Sequence, residues 1–121
     1  MTNEAKFVLL QLYSIYLDRI DEGMSKRSAS YFGSDESSFN AFFLDFNFED
    51  YIDAVLELKH RDFVIASAED GGFLEMALSR EGIAYSESES KKDYKTLMDL
   101  IRDLKKINNL KSNHLLLNRL R

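Results

Sequence analysis

The sequence predicts a mostly helical α+β domain, and residues 47–86 show most of the pattern. Apolar residues recur at helical spacing from Asn47 onward. Two strand-like runs then flank a Gly-Gly pair, and Ser79 follows them where a short helix would begin. A helix, a β-hairpin and another helix in this order form the second half of a winged helix-turn-helix domain. We therefore expect that fold, with the hairpin as its wing and an added helix at the C-terminus.

Length and composition restrict the possible functions. The 121 residues are enough for one hydrophobic core, and the chain has no cysteine. The absence of cysteine excludes disulfides, thiolate zinc sites and cysteine nucleophiles. The apolar run over residues 7–12 is too short for a membrane span, and it lacks the basic start and cleavage site of a signal peptide. We therefore expect a cytoplasmic protein that does not enter a membrane.

Charge is divided unevenly along the chain. Residues 1–90 contain 7 Lys and Arg against 18 Asp and Glu, whereas residues 91–121 contain 9 against 3. Such asymmetry gives information about partners rather than about fold. We predict a winged-helix domain over residues 1–86 and a basic helical extension over residues 87–121 that serves in dimerisation or docking. The basic residues of this extension that would contact nucleic acid, or an acidic surface of the protein itself, are Lys91, Lys92, Lys95, Arg102, Lys105 and Lys106.

The first predicted helix spans residues 4–21, with Asn3 placed as its N-cap and Gly23 placed to end it. Its apolar residues cover most of the helix circumference. A helix of that kind is buried on several sides, so it is central to the core or lends one face to a second copy of the chain.

The second predicted helix is rich in phenylalanine. Residues 24–36 predict a loop with room for one short strand, after which Ser34 caps a helix that continues to about Asp45. Four phenylalanines recur at helical spacing and predict a stripe that faces the core: Phe39, Phe42, Phe43 and Phe46.

The helix predicted from Asn47 to Arg61 separates charge from apolar surface. Carboxylates in its first turn meet the free N–H groups and the positive end of the helix dipole. At about 100° per residue, one side is apolar and carries Phe48, Tyr51, Ile52, Val55, Leu56 and Leu58. The opposite side carries four carboxylates, which we name the acidic quartet: Glu49, Asp50, Asp53 and Glu57.

The hairpin is predicted from strand-like runs over residues 63–68 and 73–78. Its tip consists of Glu69, Asp70, Gly71 and Gly72, and the Gly-Gly pair supplies the positive φ angles that a tight turn needs. Ser79 then caps a short helix, and the SESES run over residues 86–90 predicts an exposed linker that leaves it.

The tail helix is predicted to begin at a capping box formed by Ser90 and Asp93. Its apolar stripe consists of Tyr94, Leu97, Met98, Ile101 and Leu104. The tail cannot bury this stripe alone, so the stripe packs on the body of the chain or forms a dimer interface with another tail. Beyond Asn108 and Asn109 the apolar phase slips, which predicts a bend or a second short helix.

Residues 77–85, ALSREGIAY, resemble the segment that follows the wing in many small bacterial winged-helix proteins. Together with FEDYIDAVLELKHRDFVI upstream, the chain resembles the YjcQ-like group and its PadR-like relatives. The resemblance covers about residues 4–86 and implies a winged-helix regulator of bacterial or phage origin. A C-terminal dimerising helix is common in PadR-like regulators, so it also implies a homodimer.

The resemblance implies that the helix from Asn47 to Arg61 occupies the recognition position, with the hairpin as the wing. A winged helix that binds DNA usually presents basic or amide side chains there, because phosphate neutralisation supplies much of the affinity. This helix presents the acidic quartet, and the wing tip adds Glu69 and Asp70. Those charges would repel DNA.

Three interpretations of this surface remain open. In the first, which we favour over DNA binding, the acidic quartet engages a basic surface of a protein partner, and one way to act would be to block a nucleic-acid-binding protein. In the second, a dimeric transcriptional regulator contacts DNA through Lys26, Arg27 and the basic tail. In the third, the acidic face is solvated surface and the tail docks on the acidic body of its own or a neighbouring chain.

A catalytic role is not indicated. His60 and His114 lie far apart in sequence without an obvious partner, and a lone histidine is more often a packed or surface residue than a ligand or base. The acidic helix face lacks the converging loop oxygens of a dedicated metal site. Gly71 and Gly72 lack the following Lys-Ser/Thr of a phosphate-binding loop. We expect neither an enzyme nor a bound cofactor or metal.

Overall fold

A computed structural model describes residues 1–110. Within them the chain is an α+β structure of six helices and one two-stranded antiparallel sheet. The elements in chain order are α1 (Asn3–Asp21), α2 (Lys26–Ser30), α3 (Asp35–Phe42), α4 (Phe48–His60), β1 (Val64–Glu69), β2 (Gly72–Leu78), α5 (Arg80–Ser90) and α6 (Tyr94–Ile107). The predicted α+β class with a β-hairpin is confirmed.

Helix α1 is the centre of the core, and α2, α4, α5 and α6 all pack against it. This explains its apolar circumference, and the buried side chains include Phe7, Leu9, Leu10 and Leu12. The predicted N-cap was wrong by one residue. Thr2 caps α1, because its hydroxyl oxygen accepts a hydrogen bond from the Ala5 N–H at 3.1 Å.

A short helix, α2, occupies part of the region predicted as a loop. Ser25 caps it by accepting a hydrogen bond from the Ser28 N–H. The short strand predicted in this region is a single β-bridge between Tyr31 and Ala77 of β2. Beside it, Phe32 N donates to Met76 O at 2.8 Å. This bridge attaches the segment between α1 and α3 to the hairpin.

Helix α3 begins after the predicted cap, Ser34, but it ends at Phe42 rather than near Asp45. The four phenylalanines still contribute to the core, since Phe43 and Phe46 are buried beyond the helix and the other two are half-buried. The Phe43 ring stacks on Tyr51 of α4 with 4.7 Å between centroids. The Tyr51 hydroxyl lies 2.6 Å from Ser38 Oγ, so a buried hydrogen bond also joins the two helices.

The hairpin turns at Asp70 and Gly71, and only Gly71 has a positive φ, at 72°. The prediction that both glycines supply positive φ was wrong for Gly72. A Cβ built on Gly72 would lie 2.1 Å from the Asp35 carboxylate, which also accepts a hydrogen bond from Phe73 N at 3.2 Å. Gly72 therefore leaves room for the Asp35 side chain of α3 beside the hairpin, and its φ is not the positive one in the turn.

Helix α5 begins at the predicted cap, Ser79, but it is longer than predicted. The SESES run is not an exposed linker: it forms the last part of α5, and Ser86 and Ser90 are buried. Each of these two hydroxyls donates at 2.8 Å to the carbonyl four residues earlier. The boundary predicted between residues 86 and 87 therefore falls inside a helix.

Helix α6 is capped by Asp93, whose side chain accepts from the Thr96 N–H. The predicted capping box was wrong, because Ser90 ends α5 and does not begin α6. The helix runs antiparallel to α1, with the Tyr94 hydroxyl 3.5 Å from Asp18 and Asn108 Nδ2 donating to Asn3 O. It ends at Ile107 in a turn over Asn108 and Asn109, where a bend or a second short helix was predicted; the residues that such a helix would occupy lie outside the described residues.

Over residues 1–110, no helix is both long enough and apolar enough to cross a bilayer.

Candidate interaction surface

The outer face of α4 is exposed as the sequence predicts. Asn47 caps this helix, and its side-chain oxygen accepts from the N–H groups of Glu49 and Asp50 at 2.9 and 3.2 Å. The inner face packs on α1 and buries Tyr51, Ile52, Ala54, Val55 and Leu58. Three of the acidic quartet lie in solvent: Glu49, Asp50 and Asp53.

Glu57 differs from the rest of the acidic quartet because it is bonded within the chain. Thr2 donates to its two carboxylate oxygens, from the backbone N–H and from the hydroxyl, both at 2.8 Å. Arg61 Nε lies 3.6 Å away. Partial burial raises the pKa of Glu57, but the Thr2 hydrogen bonds and nearby positive charges outweigh it and hold that pKa below its ordinary value. Glu57 therefore fastens α4 to the start of α1.

A groove of about 230 Å³ lies between the first turn of α1 and the outer side of α4. Four carboxylates line it: Glu4, Asp50, Asp53 and Glu57. Sequence reasoning missed Glu4, because only the packing of α1 against α4 brings residues so distant in sequence together. In the described part of the chain, no group of three or more potential ligands could hold a metal ion. The acidic face of α4 thus consists of its three exposed carboxylates, Glu49, Asp50 and Asp53, with Glu4 of α1 beside them.

The wing tip adds two further carboxylates. Glu69, Asp70 and Gly71 are exposed, whereas Gly72 is buried against Asp35. No side chain within residues 1–110 forms an ion pair with either tip carboxylate.

The basic residues of the tail have a mixed environment. Lys91, Lys92, Lys95, Arg102 and Lys106 are exposed, and Lys105 is half-buried. Lys91 and Lys92 form the left-handed turn between α5 and α6. Arg102 pairs with Asp99 at 2.7 Å, and Asp103 lies on the same outer side of the helix. Acidic side chains therefore lie among the basic side chains on the outer side of α6.

Most of the predicted dimer stripe is used inside the chain. Leu97, Ile101 and Leu104 are buried in the common core, and Met98 is half-buried against it. Tyr94 is the exposed member, with 51% of its surface accessible. The sequence left open whether the stripe packs on the body of its own chain or on another tail. These buried side chains pack on the body of their own chain.

His60 is exposed at the end of α4. Its Nδ1 donates to Leu56 O at 2.8 Å. No acidic side chain among residues 1–110 lies within ion-pair distance of its ring. His114 lies outside the described residues.

Comparisons with protein-family models, curated proteins and solved structures find no match for this chain. We therefore infer its function from the charge and shape of the described surfaces.

Proposed function

We propose that the chain is a winged-helix regulatory domain that acts by binding a basic protein surface through the acidic face of α4. In this proposal α4 occupies the recognition position and the hairpin is the wing, as in the YjcQ-like and PadR-like proteins that the sequence resembles. The binding residues are Glu49, Asp50 and Asp53, with Glu4 across the groove. Glu57 positions the face by joining α4 to α1.

The order of the elements supports the winged-helix part of the proposal. The Tyr31 bridge places an extended segment before α3 and beside β2. A connection over residues 43–47 joins α3 to α4, and the hairpin follows α4 directly. With α2 as an additional short helix, this order of helix, bridge, two helices and hairpin is compatible with a winged helix-turn-helix.

The exposed charge on the outer face of α4 is the observation that carries the proposal. In the part of the chain that the structure describes, none of Glu49, Asp50 and Asp53 takes part in an ion pair. Like charges so arranged repel the phosphates of DNA. They attract a basic surface, accelerate its association and favour the correct partner over wrong ones. One consequence would be competition with nucleic acid for the same basic protein surface.

A comparison of two variants of equal net charge tests the proposal. The face variant carries Glu49→Gln, Asp50→Asn and Asp53→Asn. The control carries Asp21→Asn, Glu22→Gln and Asp103→Asn, three exposed positions at the far end of α1 and on α6. Glu57 is left unchanged because its loss would disturb the packing of α4 on α1.

The readout is the fluorescence anisotropy of a labelled Lys- and Arg-rich peptide at low salt. Each exposed charge pair contributes about 0.2–1 kcal/mol, so we expect the face variant to bind roughly tenfold more weakly than the wild type. The control should stay within about twofold. Equal losses in both variants would mean that only net charge matters, and that result would contradict a defined binding face.

DNA binding through basic side chains is the second candidate, and their exposure favours it. Lys26 and Arg27 on α2 are exposed, as are five of the six tail residues named above. Removal of the tail is not a clean test, because it would take Leu97 out of the core. Substitution of Lys91, Lys92, Lys95 and Lys106 by Gln keeps the core intact. If this candidate is correct, the four substitutions should reduce the salt dependence of binding to a random duplex.

A further inference from the structure

The groove between α1 and α4 lies close to the point where the described part of the chain ends. Asn108 Nδ2 donates at 3.1 Å to Asn3 O, in the first turn of α1. The next residue of α1, Glu4, lines the groove. Leu110, the last described residue, is half-buried against the core. The chain beyond Leu110 therefore continues from a point close to the acidic face of α4.

One side of α1 connects the end of α6 with this groove. Glu4, Phe7 and Gln11 are three and four residues apart, so they lie on the same side of the helix. Phe7 and Gln11 line a second pocket. Lys105 of α6 and Phe46, two residues before α4, line that pocket as well. The end of α6 and the acidic side of α4 thus border the same strip of α1.

The segment over residues 111–121 carries the charge that complements this groove. It reads KSNHLLLNRLR, without Asp or Glu, and its three basic residues are Lys111, Arg119 and Arg121. Within residues 1–110, none of Glu4, Asp50 and Asp53 takes part in an ion pair. Opposite charges therefore lie on the groove and on the chain that continues beside it, and they attract each other.

The segment is also long enough to follow the whole acidic face. Its 11 residues reach up to about 36 Å when extended, at about 3.3 Å per residue. Helix α4 has 13 residues and is about 20 Å long, at about 1.5 Å per residue. A group attached by so short a connection has an effective concentration of about millimolar, so even individually weak ion pairs are populated.

We propose that residues 111–121 dock in the groove between α1 and α4 of their own chain, with their basic side chains against the acidic face. This inference rests on the proposed function, because it makes the segment a competitor of the basic protein partner for the same face. A partner must displace the segment to bind. The apparent affinity of the face is therefore lower than its intrinsic affinity by the fraction of molecules in which the face is free.

Docking can be measured without a partner, by paramagnetic broadening in two-dimensional NMR of the full chain. The chain has no cysteine, so Asn118→Cys provides a single thiol for a nitroxide spin label next to Arg119. We expect the label to broaden the amide signals of Asp50 and Asp53. The segment variant, with Lys111→Gln, Arg119→Gln and Arg121→Gln, should lose this broadening, because its segment has no charge to hold it in the groove.

Three results would overturn the docking. The first is the absence of broadening on the outer face of α4. The second is broadening of the same size in the segment variant. The third is broadening that appears when spin-labelled chains are mixed with isotope-labelled chains that carry no spin label. In that case the segment would occupy the groove of a second copy rather than its own.

The labelled Lys- and Arg-rich peptide measures the consequence for binding. The segment variant should bind it about three- to tenfold more tightly than the wild type, since nothing then competes for the acidic face. The matched control carries Lys26→Gln, Arg27→Gln and Lys95→Gln, at three exposed positions that do not line the groove. Its affinity should stay within about twofold of the wild type. Equal gains in both variants would mean that only net charge matters and would contradict competition by the segment.

The two measurements separate this inference from the proposed function. If the spin label shows no docking but the variant of the acidic face still binds the peptide more weakly than its own control, the inference fails and the proposed function stands. If the label shows docking but the peptide binds neither the wild type nor the segment variant, the docking stands and the proposed function fails.

Discussion

Helices α4 and α6 both pack on α1, but their outer faces differ. Each buries an inner stripe of aliphatic side chains, represented by Leu58 in α4 and Leu97 in α6, both fully buried. The outer face of α4 carries carboxylates without an intervening basic residue until His60 and Arg61. The outer face of α6 alternates in sign, and Arg102 is already paired with Asp99.

The net charge of a segment therefore does not determine the charge of the surface that it presents. The tail has the larger imbalance per residue, yet its described helix presents a mixed stripe. The acidic face of α4 gains Glu4 from α1 and loses Glu57 to a contact within the chain. Substitutions on the inner and outer faces of α4 and α6 should therefore have effects of different size.

The inner faces should contribute alike to stability, and this is the largest expected effect. Leu58→Ala and Leu97→Ala should each lower the free energy of unfolding by about 2–5 kcal/mol, because each leaves a cavity in one common core. Urea denaturation measures the loss. Ile107→Ala is the matched control, since Ile107 is 61% exposed, and it should change stability by less than about 0.5 kcal/mol.

The Leu97 result also tests the predicted dimer interface. If Leu97→Ala changed the molar mass in light scattering while the free energy of unfolding of the protomer stayed the same, Leu97 would serve a partner copy rather than its own core. That result would contradict the packing of α6 on α1.

An intermediate effect is expected where α4 meets the start of α1. Glu57→Gln should lower the free energy of unfolding by about 1 kcal/mol at neutral pH, because the uncharged amide can accept only one of the two hydrogen bonds that Thr2 donates. The folded-state pKa of Glu57 is lowered, so this stability is present above the unfolded pKa and is lost as pH falls through the folded value. Urea titrations from neutral pH to about pH 3 should show the wild type and the variant converging.

A double-mutant cycle checks the cause of that effect. Thr2→Val removes the hydroxyl that donates to Glu57. The two substitutions together should destabilise by less than the sum of the single losses, because each removes the same contact. Strict additivity would mean that the Thr2–Glu57 contact does not carry the effect.

The smallest effect is expected on the outer face of α6. Arg102→Gln breaks the pair with Asp99, whose partners have 61% and 43% of their side-chain surfaces exposed. Such a pair contributes little in water, so the free energy of unfolding should change by less than about 0.5 kcal/mol. A loss as large as that of Glu57→Gln would show that the Arg102–Asp99 pair contributes as much to stability as the contact of Thr2 with Glu57.

Local signals were sufficient for much of the fold. Asn47 caps α4 as predicted, and the hairpin forms where strand-like runs flank Gly71, because both depend on residues close in sequence. The acidic side of α4 could also be read from helical spacing alone. The winged-helix assignment stays a prediction.

Other features depend on packing that a sequence pattern does not contain. Ser86 and Ser90 suggested an exposed linker, but their hydroxyls bond to their own helix and are covered by the rest of the fold. The contact of Thr2 with Glu57 joins positions 55 residues apart. Helix α2 was not predicted, because the small polar residues before Tyr31 favour a loop.

The proposed role of the α4 face is tested by asking whether its negative charge prevents binding to DNA. Fluorescence anisotropy with a random duplex would be measured across a salt series for the wild type and two charge-reversed variants. One carries Glu49→Lys, Asp50→Lys and Asp53→Lys, and the control carries Asp21→Lys, Glu22→Lys and Asp103→Lys. We expect no wild-type binding even at about 50 mM salt, and salt-sensitive binding only when the α4 face is reversed. Salt-sensitive binding by the wild type, or an equal gain in DNA affinity in both reversed variants, would contradict the assignment of the acidic face of α4 as the binding surface.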